Sequence, residues 1–252
     1  MDKLEDLTTD KLSEIIKEFG KKQKIFQSEA QFQFDLAWKL REKFDCEVKL
    51  EELTAVLNEK ENSKSKSKVK KIYTDIVLEK GDYRVAIELK YKTASLEKEN
   101  LLNHGAVDLG RYDFLWDVNR IEFLLGKDKF IKDGEAMEGK RKQVNKGFAI
   151  LLTNEKKYWN ECPDNPSTNN STIDNDFKLG DKKLVDANLD WKKENGKYPN
   201  CIVGKKKKPT WRAQPINLNQ AYSYKWEEYC KLNNVGKNGA FNFVIIEVPA
   251  KK

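Results

Sequence analysis

Histidine is almost missing from this chain of 252 residues: His104 is the only one. The four cysteines, Cys46, Cys162, Cys201 and Cys230, form no C-x-x-C pair and stand apart from it. Zinc clusters are built from closely spaced Cys and His, so none is expected. His104 reads as a structural or surface residue. Apolar runs are short, and none nears the roughly 20 residues a membrane helix needs. There is no Walker loop and no G-x-G-x-x-G, so a bound nucleotide cofactor or ATP-driven motor is not supported. No signal-peptide pattern opens the chain, because residues 1–20 are charged and helix-like. These absences lead to the expectation of a cytoplasmic protein with free thiols and no membrane partner. The Asn170-Ser171-Thr172 triplet is then a chance glycosylation match. No internal repeat is visible.

What is present is enough for a core. Hydrophobic residues make up 38% of the chain, with six Trp, nine Tyr and twelve Phe. Charged residues reach 35%, and 48 Lys+Arg against 41 Asp+Glu leave a net +7. That modest excess suits nucleic acid or an anionic surface, and equally suits plain solubility. The length fits one large domain or two small ones.

Residues 2–19 read as an amphipathic helix ended near Gly20 and the lysines Lys21, Lys22 and Lys24. A second helix is expected over 27–44, with Ser28 as its cap. Residues 46–50 alternate as a short strand, and 51–59 read as one or two helical turns. The Ser/Lys run 62–71 is a loop, since it has almost no apolar surface to bury. Strands follow over 71–79 and 82–92, with Lys80-Gly81 as a two-residue turn. A long helix spans 105–125, a charged loop with room for a helical piece 127–146, and a buried strand 147–153. Residues 160–180 are a polar loop, 218–231 a helix, and 241–248 a closing strand. That last strand needs neighbours to pair with. Residues 1–252 are therefore expected to form a single domain with a core over about 27–153 and a loop-rich elaboration over 154–240.

The informative stretch is Tyr73-Thr74-Asp75-Ile76-Val77-Leu78, then Gly81, then Val85-Ala86-Ile87-Glu88-Leu89-Lys90-Tyr91. Side chains alternate along a strand, so Glu88 and Lys90 share a face. With Lys80-Gly81 as the turn, Asp75 faces Ala86, Tyr73 faces Glu88, and Asp75 lies diagonally beside Glu88 on the Lys90 face. An odd-length loop would flip it unless a bulge restored it. Two carboxylates and an ammonium on one face can hold a hard cation such as Mg²⁺ and stabilise charge on a phosphate. E-x-K alone is also an ordinary pattern for a solvated strand.

This constellation resembles the PD-(D/E)XK (restriction-endonuclease-like) nuclease motif. It reads Asp75, twelve intervening residues, then Glu88-Leu89-Lys90. The expected order helix, three strands, helix, strand over 27–153 resembles the family's αβββαβ core, a central mixed sheet flanked by helices. Thr74 stands where the family name has Pro. The resemblance implies an α/β fold and a Mg²⁺- or Mn²⁺-dependent endonuclease acting on nucleic acid, with DNA the expected substrate and RNA left open. It implies that Asp75, Glu88 and the Leu89 carbonyl bind metal and that Lys90 positions or activates water. Glu29, matching an acidic position on the first core helix, would support a second metal or hold metal-bound water. Duplex cutters of this class often pair up, so a homodimer is a further expectation. The alternative is a non-catalytic nucleic-acid-binding module on the same fold.

Weaker candidates for phosphate contact are Lys92, on the Lys90 face, and Arg111, Asn119 and Arg120 on the long helix. Each is also readable as an ordinary solvated side chain, Arg120 lying near Asp117 and Glu122. The lysine runs 64–71 and 205–208 could add sequence-independent affinity, and Trp211 beside Arg212 could stack on unpaired bases.

Overall fold

The computed structural model describes residues 2–58, 69–103, 105–126, 130–132, 135–160, 174–181, 184–185, 187–193, 195–203, 210–233, 235 and 238–250. His104, Cys162, the Asn170-Ser171-Thr172 triplet, most of the 62–71 run and the 205–208 run lie outside them.

Among the described residues three α-helices form, and two start where a hydroxyl caps a free N–H. In α1 (Thr9–Lys21) Thr8 accepts from the Lys11 amide at 3.3 Å, so the helix begins later than expected. In α2 (Glu29–Phe44) Ser28 accepts from the Gln31 amide at 3.1 Å. The third, α3, is Val107–Leu124. The strands are β1 (Glu47–Asn58), β2 (Val69–Lys80), β3 (Tyr83–Lys92), β4 (Phe130–Lys132), β5 (Glu135–Arg141), β6 (Lys146–Thr153), β7 (Leu184–Val185), β8 (Asn188–Leu189), β9 (Ile216–Asn217), β10 (Tyr222–Ser223), β11 (Trp226–Lys231) and β12 (Ala240–Val248).

Eight strands make one mixed sheet in the order β11-β12-β6-β3-β2-β1-β5-β4. The β3–β6 pair is parallel and its neighbours are antiparallel. On one face, Ile15, Ile16, Phe32 and Leu36 of α1 and α2 pack against Ile76, Leu78, Val85, Ile87 and Leu89. On the other, Phe114, Leu115, Val118 and Ile121 of α3 pack against Ala86, Ala149, Leu151 and Val244. Phe177, Trp191, Ile216 and Tyr222 join that second core, so the elaboration and the α3 face share one apolar interior. The result is an α/β fold with a large mixed sheet flanked by helices. Among the described residues no helix is long and apolar enough to cross a membrane.

Gly147 on β6 sets how close α3 comes. A Cβ there would sit 2.1 Å from Ile121 Cγ2, so only glycine lets the helix lie this near the sheet.

Three expectations fail. Residues 51–58 continue β1 instead of turning into helix, because β2 pairs along them and β5 adds partners from Ala55 to Asn58. Pairing overrides the helical preference of a Glu- and Leu-rich stretch. The strand absorbs the conflict as a left-handed Glu51 (φ 50°) and a register shift between Leu53 and Ala55. The expected 127–146 loop contains the β4–β5 ribbon, which ends the sheet; charged sequence suits an edge. The expected 218–231 helix is instead β10 and β11. A register shift between Glu228 and Cys230 breaks the two-residue period, leaving a spacing that imitates a helix.

Candidate active site

The site begins at the β2–β3 hairpin. Lys80 pairs with Tyr83, so the turn is Gly81-Asp82, one residue later than expected. Gly81 takes φ of 59° at the first central position, where a type II′ turn places glycine. Glu79 therefore faces Arg84 instead of Asp82. Partners move by two positions, which preserves the face: Asp75 stays on the side of Glu88 and Lys90, now at the level of Glu88 instead of Ala86.

Ladder pairing between β2 and β3 stops at Ile76–Ile87, while β3 continues alongside β6 to Lys92. Past that point the β3 main chain lacks its β2 partner, and buried N–H groups must bond elsewhere. Two carboxylates answer. Asp75 Oδ2 accepts from the Leu89 amide at 2.6 Å, and Glu29 Oε2 accepts from the Tyr91 amide at 2.7 Å. Glu29 can do so because Ser28 starts α2 immediately before it. One turn further on, the Gln33 amide donates to the Asp75 carbonyl at 2.6 Å and to Glu51 Oε1 at 2.9 Å. In a strand the C=O and N–H of one residue point to the same side. The Leu89 carbonyl thus faces the same gap, 3.1 Å from Lys90 Nζ.

Helix α3 closes the site from above with two residues three apart. Asp117 ion-pairs with the Lys90 ammonium and, at 3.0 Å, with Arg120 Nη1. Arg120 Nη2 lies 3.1 Å from Glu88 Oε1 and bonds the Tyr73 carbonyl. Glu88 is only 1% exposed, yet neither of its oxygens accepts a hydrogen bond among the described residues. Arg120 neutralises it by proximity without hydrogen-bond geometry. An orphaned buried carboxylate is costly to keep charged.

The electrostatics follow. Burial pushes Asp75 up to about 6, opposed by the Lys90 ammonium and the Leu89 amide and assisted by Asp117. Burial, with Asp75 and Asp117 nearby, holds Glu88 well above the usual carboxylate range, although Arg120 and Lys90 pull the other way. Burial alone would lower Lys90, but Asp117, Glu29, Asp75 and Glu88 together raise it. It is an ammonium at neutral pH.

A cleft of about 600 Å³ opens over this floor, lined by Glu51, Asp75, Lys90, Asp117 and Arg120, with Tyr73 and Trp211 among its walls. Of the residues expected from sequence, the structure brings Asp75, Lys90 and Arg120 into the cleft, with Glu88 buried against Arg120 and Glu29 at the Tyr91 amide. Arg111 does not join them. Its guanidinium is held by Asp174 Oδ2 at 2.6 Å and by the Lys157 carbonyl, so it anchors the elaboration. Asn119 is buried outside the cleft lining, because its position on α3 turns inward. Lys92 is half-buried, one step beyond the lining. Sequence reasoning missed Asp117 and Glu51. The three-residue step from Asp117 to Arg120 marks a shared helix face and was the available signal for the first. Glu51 was hidden by reading its segment as helix.

The oxygens that would hold a divalent ion are those of Asp75, Glu88 and the Leu89 carbonyl; Asp75 lines the cleft, while Glu88 lies behind Arg120 and the Leu89 carbonyl accepts from Lys90. Among the described residues no three His, Cys, Asp or Glu side chains converge as a ready-made cage. Mg²⁺ retains several waters and is commonly held by one or two carboxylates, so the smaller set fits, and the orphaned Glu88 oxygens fit best of all.

No protein-family model matches the chain, and neither the curated proteins nor the solved structures yield a match.

Proposed function

We propose that this protein is a divalent-metal-dependent nuclease of the PD-(D/E)XK, restriction-endonuclease-like type, cutting phosphodiester bonds with Mg²⁺ or Mn²⁺. One observation carries the reading: the β2–β3 split gathers Asp75, Glu88 and Lys90 on one face, beneath an open cleft, with Glu88 buried and unbonded. The cleft lining carries Glu51, Asp75, Asp113 and Asp117 with Lys71, Lys90 and Arg120, and Arg212 pairs Asp113 from the side, so acids and bases nearly balance. A dication would add the positive charge that draws a phosphate to this balanced lining.

A divalent ion held by Asp75, Glu88 and the Leu89 carbonyl would polarise the phosphate and acidify a bound water. Asp75 is oriented for this by its bond to the Leu89 amide. Lys90, fixed by Asp117 and kept protonated, stabilises an attacking hydroxide or the charge developing on phosphorus. Arg120 adds a second positive charge beside Glu88. Glu29 holds the main chain at Tyr91, next to Lys90.

The test is incubation with plasmid and with oligonucleotides in Mg²⁺ or Mn²⁺. The wild type should cut. Lys90→Ala should lose on the order of 10²–10³ in rate, as when one charge-stabilising donor is removed. Asp75→Asn should lose activity while the protein stays folded. A wild type with no metal-dependent cleavage, or variants that cut equally well, would sink the proposal. One observation favours a second reading, a non-catalytic nucleic-acid-binding module. Arg120 and Lys90 already neutralise Glu88 and Asp117 without any metal. Salt-sensitive binding without cleavage would select it.

A further inference from the structure

We infer that the cleft takes an unpaired nucleotide, with its base stacked on the aromatic wall formed by Trp211 and Tyr73. The inference rests on the proposed nuclease reading and names its substrate class. Both side chains line the same cleft as Asp75 and Lys90. Both are large and open to solvent, Tyr73 at 42% and Trp211 at 39%. Exposed aromatics beside a catalytic floor are costly to keep in water and gain from covering.

Trp211 is a prepared surface, not a loose side chain. It meets Trp116 and Tyr112 edge to face, with ring centres 5.9 Å away in both cases. The Arg212 guanidinium lies over it at 4.6 Å. Arg212 is fixed in turn by a two-point pair to Asp113 on α3, at 2.7 and 2.8 Å. The indole is thus held by the helix that supplies Asp117 and Arg120. A rigid aromatic plane costs little entropy when a ligand settles on it. Tyr73, in the same lining, is tied to the floor through its carbonyl, which Arg120 bonds.

This arrangement favours unpaired strands over duplex. In duplex the base faces are covered by their neighbours, and the protein meets phosphates and groove edges. Unpaired bases offer an open π-face, and stacking is tolerant of base identity. The cleft volume, about 600 Å³, lies in the range of small-molecule pockets. A single strand also needs only one cleft, so the homodimer expected for duplex cutting is not required.

The test is binding of labelled single-stranded and duplex oligonucleotides by fluorescence anisotropy. Ca²⁺ is supplied as the dication, and the ligand is checked for integrity afterwards. Trp211→Ala and Tyr73→Ala should each weaken single-strand binding roughly tenfold, the lower part of what one base stack contributes. Trp211→Phe should restore much of it. Duplex binding, and binding of a strand with an abasic site at the stacking position, should change little. Thermal melts of each variant separate lost stacking from lost folding, and Tyr73, exposed on β2, gives the safer substitution. Equal single-strand affinity in wild type, Trp211→Ala and Tyr73→Ala overturns the inference, as does no single-strand binding at all. Aromatic-dependent binding without cleavage in Mg²⁺ or Mn²⁺ would leave the stacking intact and remove the nuclease reading instead. Cleavage without aromatic dependence would do the reverse.

Discussion

Asp75 answers two opposed requirements. Its carboxylate completes the Leu89 amide where β2 leaves β3, yet burial makes its negative charge expensive. Its folded-state pKa of about 6 lies above the 3.8 of an ordinary Asp. The unfolded chain therefore releases this proton first as pH rises. The metal-free fold loses stability between about pH 4 and pH 6, and the raised pKa of Glu88 adds a loss of the same sign at higher pH. A bound cation would favour the same charged forms that burial penalises. Saturating Mn²⁺ should raise Tm little near pH 5 and clearly more near pH 7.5, because protons compete with metal for both groups. Equal gains at the two pH values would contradict this. That Asp75, Glu88 and Lys90 share a face was legible in the sequence because strand alternation is rigid: a turn displaced by one residue shifted partners by two and kept the face. The Asp117 and Arg120 contacts were not, since they depend on which side of α3 meets the sheet.

Among the elements, α3 and the β2–β3 hairpin carry the site, and Gly147 governs the space between helix and sheet. Gly147→Ala should force Ile121 and α3 away from β6. Overpacking of this kind costs about 1–3 kcal/mol. The expected result is a lowered Tm together with reduced cleavage, because Asp117 and Arg120 move with the helix. An unchanged melting curve would mean that the helix does not need the glycine. Long or continuously apolar segments such as α2, α3 and β6 could be placed from sequence. β1 and β11 could not, because each takes strand form from pairing with a neighbouring strand and contains a register shift that blurs the two-residue period. The β4–β5 ribbon was hidden for a related reason: an edge ribbon needs little apolar sequence to form.

At the scale of the whole molecule, a net +7 surrounds a cleft whose acids and bases nearly balance. On the proposed reading, the net charge supplies general attraction for a polyanion, and a dication would supply the local charge at the cleft. The elaboration supports the site instead of standing apart. Asp174 holds Arg111, Glu122 accepts from Tyr222 and the Asn219 amide at 2.8 Å, and Trp211 reaches the cleft wall. Its role was opaque in sequence because short ribbons and single-turn helices leave no period to read. The most direct measurement is anomalous diffraction from crystals soaked in Mn²⁺. A peak contacting Asp75, Glu88 and the Leu89 carbonyl, with the Arg120 guanidinium moved off Glu88, is the predicted result. A fully soaked crystal with Arg120 still against Glu88 and no manganese in the β2–β3 gap would contradict it.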